Sequence, residues 1–169
     1  MLRVITFSVL VLLISCSDDS GTGPGNGGDV LGTFSVDING TKWKATQNIV
    51  FASYSESESF TVLSVSGGKS ISPTEAQAIA FTVSAEESNL AGLVGTYSLG
   101  VTGGGALAFT TTISDDIVSY LSLSGEVTVT EITTSSVVGT FNAICVNTVD
   151  QEDTLTMTNG IFNAILATP

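Results

Sequence analysis

The chain has 169 residues, no histidine, and 16 acidic against four basic side chains, for a formal net charge of −12. So few bases argue against a nucleic-acid partner, because phosphate binding draws on Lys and Arg. The absence of histidine removes Ser-His-Asp and Cys-His catalysis and most zinc and copper sites.

In chain order, the first informative segment is short. After Arg3, residues 4 to 14 (VITFSVLVLLI) are apolar apart from Thr6 and Ser8. That is about half of the roughly 20 apolar residues a membrane-spanning helix needs, and it fits the core of a secretory signal peptide. Leu13-Ile14-Ser15-Cys16 then resembles a bacterial lipobox, in which cleavage before the cysteine is coupled to its lipidation. The expected organisation is a signal peptide over 1–15, a lipidated Cys16 with a flexible acidic tether over 16–29, and one domain over 30–169. The tether (SDDSGTGPGNGGD, residues 17–29) has no large apolar residue; such a chain reaches about 20 Å. Asp18 and Asp19, just behind the cysteine, resemble the signal that sends Bacteroidetes lipoproteins to the outer face of the outer membrane. The expected location is therefore the outer membrane, lipid-anchored and surface-exposed, with a periplasm-facing anchor as the alternative.

From Val30 onward the apolar period is two, which signals strands. Thr33 to Ile38 alternates, Asn39-Gly40 follows, and Thr41-Lys42-Trp43-Lys44-Ala45 alternates again. Asn-Gly between alternating runs predicts a hairpin with a type I′ turn. Asp37 is expected to meet Lys42 and Lys44 across it. Further strands are expected over 48–54, 59–66, 77–84, 94–101, 106–113, 117–123, 125–132, 136–146, 154–158 and 160–166. Ser72-Pro73-Thr74-Glu75 carries helix-start residues, but the alternation that follows limits it to a loop or single turn. Gly103-Gly104-Gly105 lacks a following Lys and reads as a turn.

Short spacing and turn residues point to an all-β domain. The expectation is an antiparallel β-sandwich of about 9–11 strands, with a closed or partly open lipocalin-like β-barrel as the alternative.

A small pattern recurs at Gly32-Thr33-Phe34, Gly95-Thr96-Tyr97, Gly139-Thr140-Phe141 and Gly160-Ile161-Phe162. A glycine that permits a bend or bulge is followed by an aromatic that plugs the core. Phe34, Val36, Ile38, Trp43, Tyr97, Phe141, Cys145 and Phe162 are the expected core. If Cys16 is lipidated, Cys145 has no disulfide partner, and inside an apolar strand it reads as a small buried hydrophobe.

Three stretches carry a family resemblance: Gly125-Glu126-Val127-Thr128-Val129-Thr130, Val138-Gly139-Thr140-Phe141, and Met157-Thr158-Asn159-Gly160-Ile161-Phe162. Together they resemble the C-terminal signature of small uncharacterised Bacteroidetes lipoproteins. The Phe34 to Trp43 hairpin is similar to theirs as well. The likeness covers most of residues 30–169 and is least over about 100–120. It implies an all-β lipoprotein domain and brings no functional residues with it.

Few residues offer chemistry. Glu56/Glu58, Glu86/Glu87 and Asp115/Asp116 could supply a carboxylate pair for glycoside hydrolysis, but their loop and strand-end positions favour plain solvation. Asp150, Glu152 and Asp153, with Asn147, gather oxygen ligands of the kind calcium takes, against the simpler reading of a solvated loop. Tyr54 and Tyr120 are the aromatics that could stack on a sugar or peptide. Thr128/Thr130 and Thr154/Thr156/Thr158 could form hydroxyl ladders, although Thr simply favours strands.

No cofactor other than calcium is suggested. The expected function is that of a non-catalytic binding or structural accessory module for a glycan, peptide or partner protein. A lipocalin-like barrel holding a small ligand is the alternative, and a carboxylate hydrolase a distant third.

Overall fold

The structure, a computed structural model, describes residues 30–86, 89–114 and 116–167. Cys16, the tether, Glu87 and Asp115 lie outside the described residues. Ten strands follow in order: β1 Thr33–Ile38, β2 Thr41–Lys44, β3 Val50–Glu56, β4 Thr61–Ser72, β5 Glu75–Ala85, β6 Gly95–Ser98, β7 Gly105–Ile113, β8 Asp116–Ile132, β9 Ser136–Asn147 and β10 Thr154–Leu166. Single 3-10 turns cover Gln47–Ile49 and Leu90–Leu93.

Seven strands, β3-β4-β5-β7-β8-β9-β10, close on themselves as a barrel. Every ladder in the ring is antiparallel except the seam between β10 and β3, where Ile165 and Leu166 pair in parallel with Phe51 and Ala52. Ala167 N–H donating to Ala52 O at 2.9 Å extends it. β1 attaches to the same edge of β10 further toward its start, and β2 pairs with β1. β6 attaches to the second half of β8.

The barrel replaces the expected sandwich, and two long strands explain why. Residues 117–123 and 125–132, expected as two strands, form the single β8. At Gly125 (φ 137°) the chain bends, and the register slips between Ser122 and Ser124. Residues 154–158 and 160–166 likewise join as β10, with Asn159 at φ 55° and a register shift between Met157 and Gly160. Both sites carry the turn residues of a strand end, yet pairing continues through them. Bulges raise twist and curvature locally, so the sheet rolls up instead of splitting into two layers.

Local chemistry elsewhere acts as the sequence suggests. Asn39 (φ 48°) and Gly40 (φ 79°) both occupy the left-handed region that a type I′ turn requires. Pro73 and Thr74 make the turn between β4 and β5.

Alternation sends one face of each strand inward. Phe34, Phe81, Phe141 and Phe162 meet in the interior, with Phe81–Phe162 centroids 5.0 Å apart and Phe34–Phe141 5.1 Å apart. Trp43 meets Phe34 edge-on at 6.0 Å, an arrangement the ring quadrupoles favour. Val36 and Cys145 are buried with them, while Ile38 and Tyr97 are partly buried and pack against the cluster. Each of the four central phenylalanines is no more than 3% exposed, so the barrel encloses its own side chains.

Candidate functional site

Histidine is absent from the chain, and among the described residues no group of three or more Cys, Asp or Glu is arranged to hold a metal ion. The carboxylates considered for hydrolysis are dispersed along the chain. Glu56 ends β3, Glu58 lies in the turn after it, Glu86 follows β5, and Asp116 opens β8.

The acidic loop between β9 and β10 is occupied by its own hydrogen bonds. Asp153 Oδ2 accepts from the Tyr120 hydroxyl at 2.6 Å and from Asn147 Nδ2 at 3.1 Å. Asn147 Oδ1 accepts the backbone N–H groups of Val149 and Asp150, and Asp150 Oδ1 accepts that of Glu152. The Tyr120 hydrogen bond, with help from Asn147, holds the Asp153 carboxyl below its ordinary range. The same bond, followed by burial, pushes the Tyr120 phenol up. Tyr120 also packs against Phe109 at 6.0 Å. Its hydroxyl ties β8 to the β9–β10 loop, and its ring packs against β7. Asp150 and Glu152 stay exposed at the rim of that loop.

Cys145 is fully buried, and burial alone pushes its thiol up to about 12. Almost none of it is thiolate at neutral pH, so it is chemically quiet.

The threonines do not make one ladder. β9 lies between β8 and β10. The Thr128 hydroxyl meets that of Thr96 at 3.0 Å, and Thr130 donates to Val138 O at 3.1 Å.

Two open grooves are lined largely by residues that share strand parity with the core. The first, about 450 Å³, is walled by Tyr54, Leu90, Ala91, Ile132, Thr134 and Leu166. It sits beside the parallel seam, because Tyr54 comes from β3 and Leu166 from β10. Tyr54, half-buried, is the one expected ligand-stacking aromatic that reaches such a groove.

The second groove, about 330 Å³, lies where β2 faces β4 and β5. Ile38, Lys42, Trp43, Lys69, Ile71 and Phe109 line it. Trp43, an expected core residue, is 3% exposed. Trp43 Nε1 donates to Gln77 Oε1 at 2.9 Å, and the Lys69 ammonium stands 5.5 Å over the ring. These partners are 34 and 26 residues away in sequence, and no local pattern announces them.

The hairpin also departs from expectation at Asp37. The carboxylate accepts from Asn159 Nδ2 at 2.9 Å and forms no ion pair with Lys42 or Lys44. β10 lies on the other side of β1 and offers a fixed amide, which spares the entropy of ordering a long lysine chain.

A family model described as a domain of unknown function, DUF6252, matches residues 32–166. The chain belongs to that family. The DUF6252 match runs from the glycine before β1 to the last residue of β10, so it takes in the whole barrel with its attached strands. No curated protein and no solved structure matched the chain.

Proposed function

We propose that this protein is a lipid-anchored, surface-displayed accessory module of an outer membrane of the Bacteroidetes type, which binds a glycan, peptide or partner protein without catalysing a reaction. One observation carries the binding reading: the barrel interior is filled. Phe34, Phe81, Phe141 and Phe162 occupy the space in which a lipocalin-type barrel holds its ligand. Recognition is then left to the rest of the surface, including the two open grooves.

The anchor supports display. Residues 4–14, Cys16 and the acids behind it have the composition of a lipoprotein leader, and acyl chains contribute about 0.8 kcal/mol for each buried CH2. A tether without large apolar residues gives the barrel reach without burying its surface. The missing histidine and the scattered carboxylates support a non-catalytic role.

The experiment is pull-down from outer membranes of cells expressing the full chain, with and without protease treatment of intact cells, alongside Cys16→Ala. Display predicts that protease removes the domain from intact cells and that Cys16→Ala leaves the membrane fraction. Full protection of the domain in intact cells overturns display. A partner or glycan recovered before protease treatment and lost after it supports the binding role.

A further inference from the structure

Val30 and Leu31, the first described residues, are 49% and 42% exposed. The fold stitches them to the barrel seam. Gly32 N–H donates to Asn163 O at 2.8 Å, and Gln47 Nε2 donates to Leu31 O at 3.1 Å. Asn163 stands two residues before the β10–β3 pairing, and Gln47 opens the 3-10 turn that runs into β3. At the seam itself Phe51 lies beside Ile165. Val50 and Ala52 are buried, so Phe51 points outward, and it is 41% exposed. Three large apolar side chains thus stay half in water around the point where residues 17–29 join the barrel.

The charge of this wall differs from that of the whole chain. Outward positions of β2, β1, β10 and β3 carry Lys42, Lys44 and Asp37 and no other charged side chain. Lys42 lies across from Asp37, whereas Lys44 lies across from Ser35. Two bases against one acid leave the wall weakly positive in a chain of net charge −12. The other described carboxylates are carried by β8, by strand ends and by turns.

A half-exposed aromatic, two aliphatic side chains and a nearby lysine are the kinds of group that enter a lipid headgroup layer. A tether that reaches only about 20 Å keeps the wall where it ends close to the anchor. Weak contacts then suffice, because a short flexible link gives an effective concentration of about millimolar. We infer that the seam wall, with Phe51, Leu31 and Val30 at its centre, lies against the lipid surface that holds the anchor. This inference rests on the lipid anchor proposed above. Its test supplies the anchor chemically, so its failure is distinguishable from a failure of lipidation in cells.

The chain from Cys16 onward, which keeps every described residue, is coupled through Cys16 to a maleimide phospholipid in vesicles of phosphatidylcholine and phosphatidylglycerol. The buried Cys145 thiol, pushed up to about 12, does not compete. Phe51→Trp and Leu31→Trp each place a reporter in the wall. Leu121→Trp places one on β8, two strands round the ring from β10, where Leu121 is 51% exposed. Trp43, the only natural tryptophan and nearly fully buried, gives the same background in all of them. Brominated phosphatidylcholine quenches a tryptophan that reaches the bilayer. The added emission of Phe51→Trp and of Leu31→Trp should fall about twofold when brominated lipid replaces the ordinary lipid, as shallow insertion allows. That of Leu121→Trp and of the parent should stay unchanged. Absence of quenching at both wall sites overturns the inference. Equal quenching at Leu121→Trp also overturns it, since the barrel then has no preferred side. A blue shift at the wall sites that grows with protein density and comes without quenching does the same, since a second copy then covers the wall.

Discussion

The ring of Phe162 lies over Gly139 on the neighbouring strand, and a β-carbon built on that glycine would stand 2.5 Å from the ring's Cζ. Phe141 stands in the same relation to Gly160, where a β-carbon would come within 2.6 Å of its Cδ1. The register makes the two contacts reciprocal, since Phe162 pairs with Gly139 and Phe141 with Gly160 across β9 and β10. The Gly-x-aromatic pattern is therefore an interlock between two copies of itself. At these positions glycine is needed for the room it leaves, because neither backbone is in the left-handed region. At Gly32, φ is 80° and the backbone itself demands glycine.

Gly139→Ala should destabilise the fold by about 1–3 kcal/mol, the usual cost of overpacking a core. Phe162→Ala should cost about 3–5 kcal/mol through lost burial and the cavity left behind. Chemical denaturation of both single variants and the double variant tests the interlock. The double variant should lose somewhat less than the sum of the singles, because removing the ring relieves its part of the clash, while the closer approach of the new methyl to the Thr128 carbonyl oxygen persists. Strict additivity would show that the two sites are uncoupled.

Gly40 provides a contrast. A β-carbon there meets nothing within 4 Å, yet φ is 79°. Gly40→Ala should cost about 1 kcal/mol from backbone strain alone. Asn39→Ala should cost more, because it also removes the acceptor that Asn39 Oδ1 offers to Thr156 N–H at 2.9 Å. Equal losses in thermal unfolding would show that this bond adds nothing to the turn.

The Tyr120–Asp153 hydrogen bond predicts a pH-dependent stability with a definite sign. Asp153 has its folded pKa lowered, so its contribution is present above the ordinary carboxylate range and lost as pH falls through the folded value. Tyr120 has its folded pKa raised, so its contribution is present below the ordinary phenol range and lost as pH rises through the folded value. Tyr120→Phe should therefore melt lower than the parent at neutral pH. The gap between them should narrow below about pH 4 and again above about pH 10. Melting curves across pH test this, and a gap of constant size would mean that the bond carries no linked proton.

Cys145 should resist thiol reagents while the protein is folded. In a Cys16→Ser chain, where it is the only thiol, labelling at pH 8 should follow the rate of unfolding and rise sharply in denaturant. Fast labelling without denaturant would show that β9 opens locally, contrary to the complete burial of this side chain.

The sequence by itself determined the strand content, the type I′ turn at Asn39-Gly40, and the inward face of β1, because alternation and turn chemistry are local. It showed the absence of histidine and the scarcity of bases, which composition alone settles. The same local signals misled at Gly125 and at Asn159-Gly160, where residues that usually end strands bend β8 and β10. Whether a glycine ends a strand or curves it depends on whether the neighbouring strand, here β9 in both cases, continues to pair beyond it, and the residues around the glycine do not carry that register. Closure of β10 onto β3, the packing of Phe162 over Gly139, and the meeting of Trp43 with Lys69 and Gln77 were decided only by the tertiary structure. The first and last bring together strands far apart in sequence, and the second depends on the register of β9 with β10.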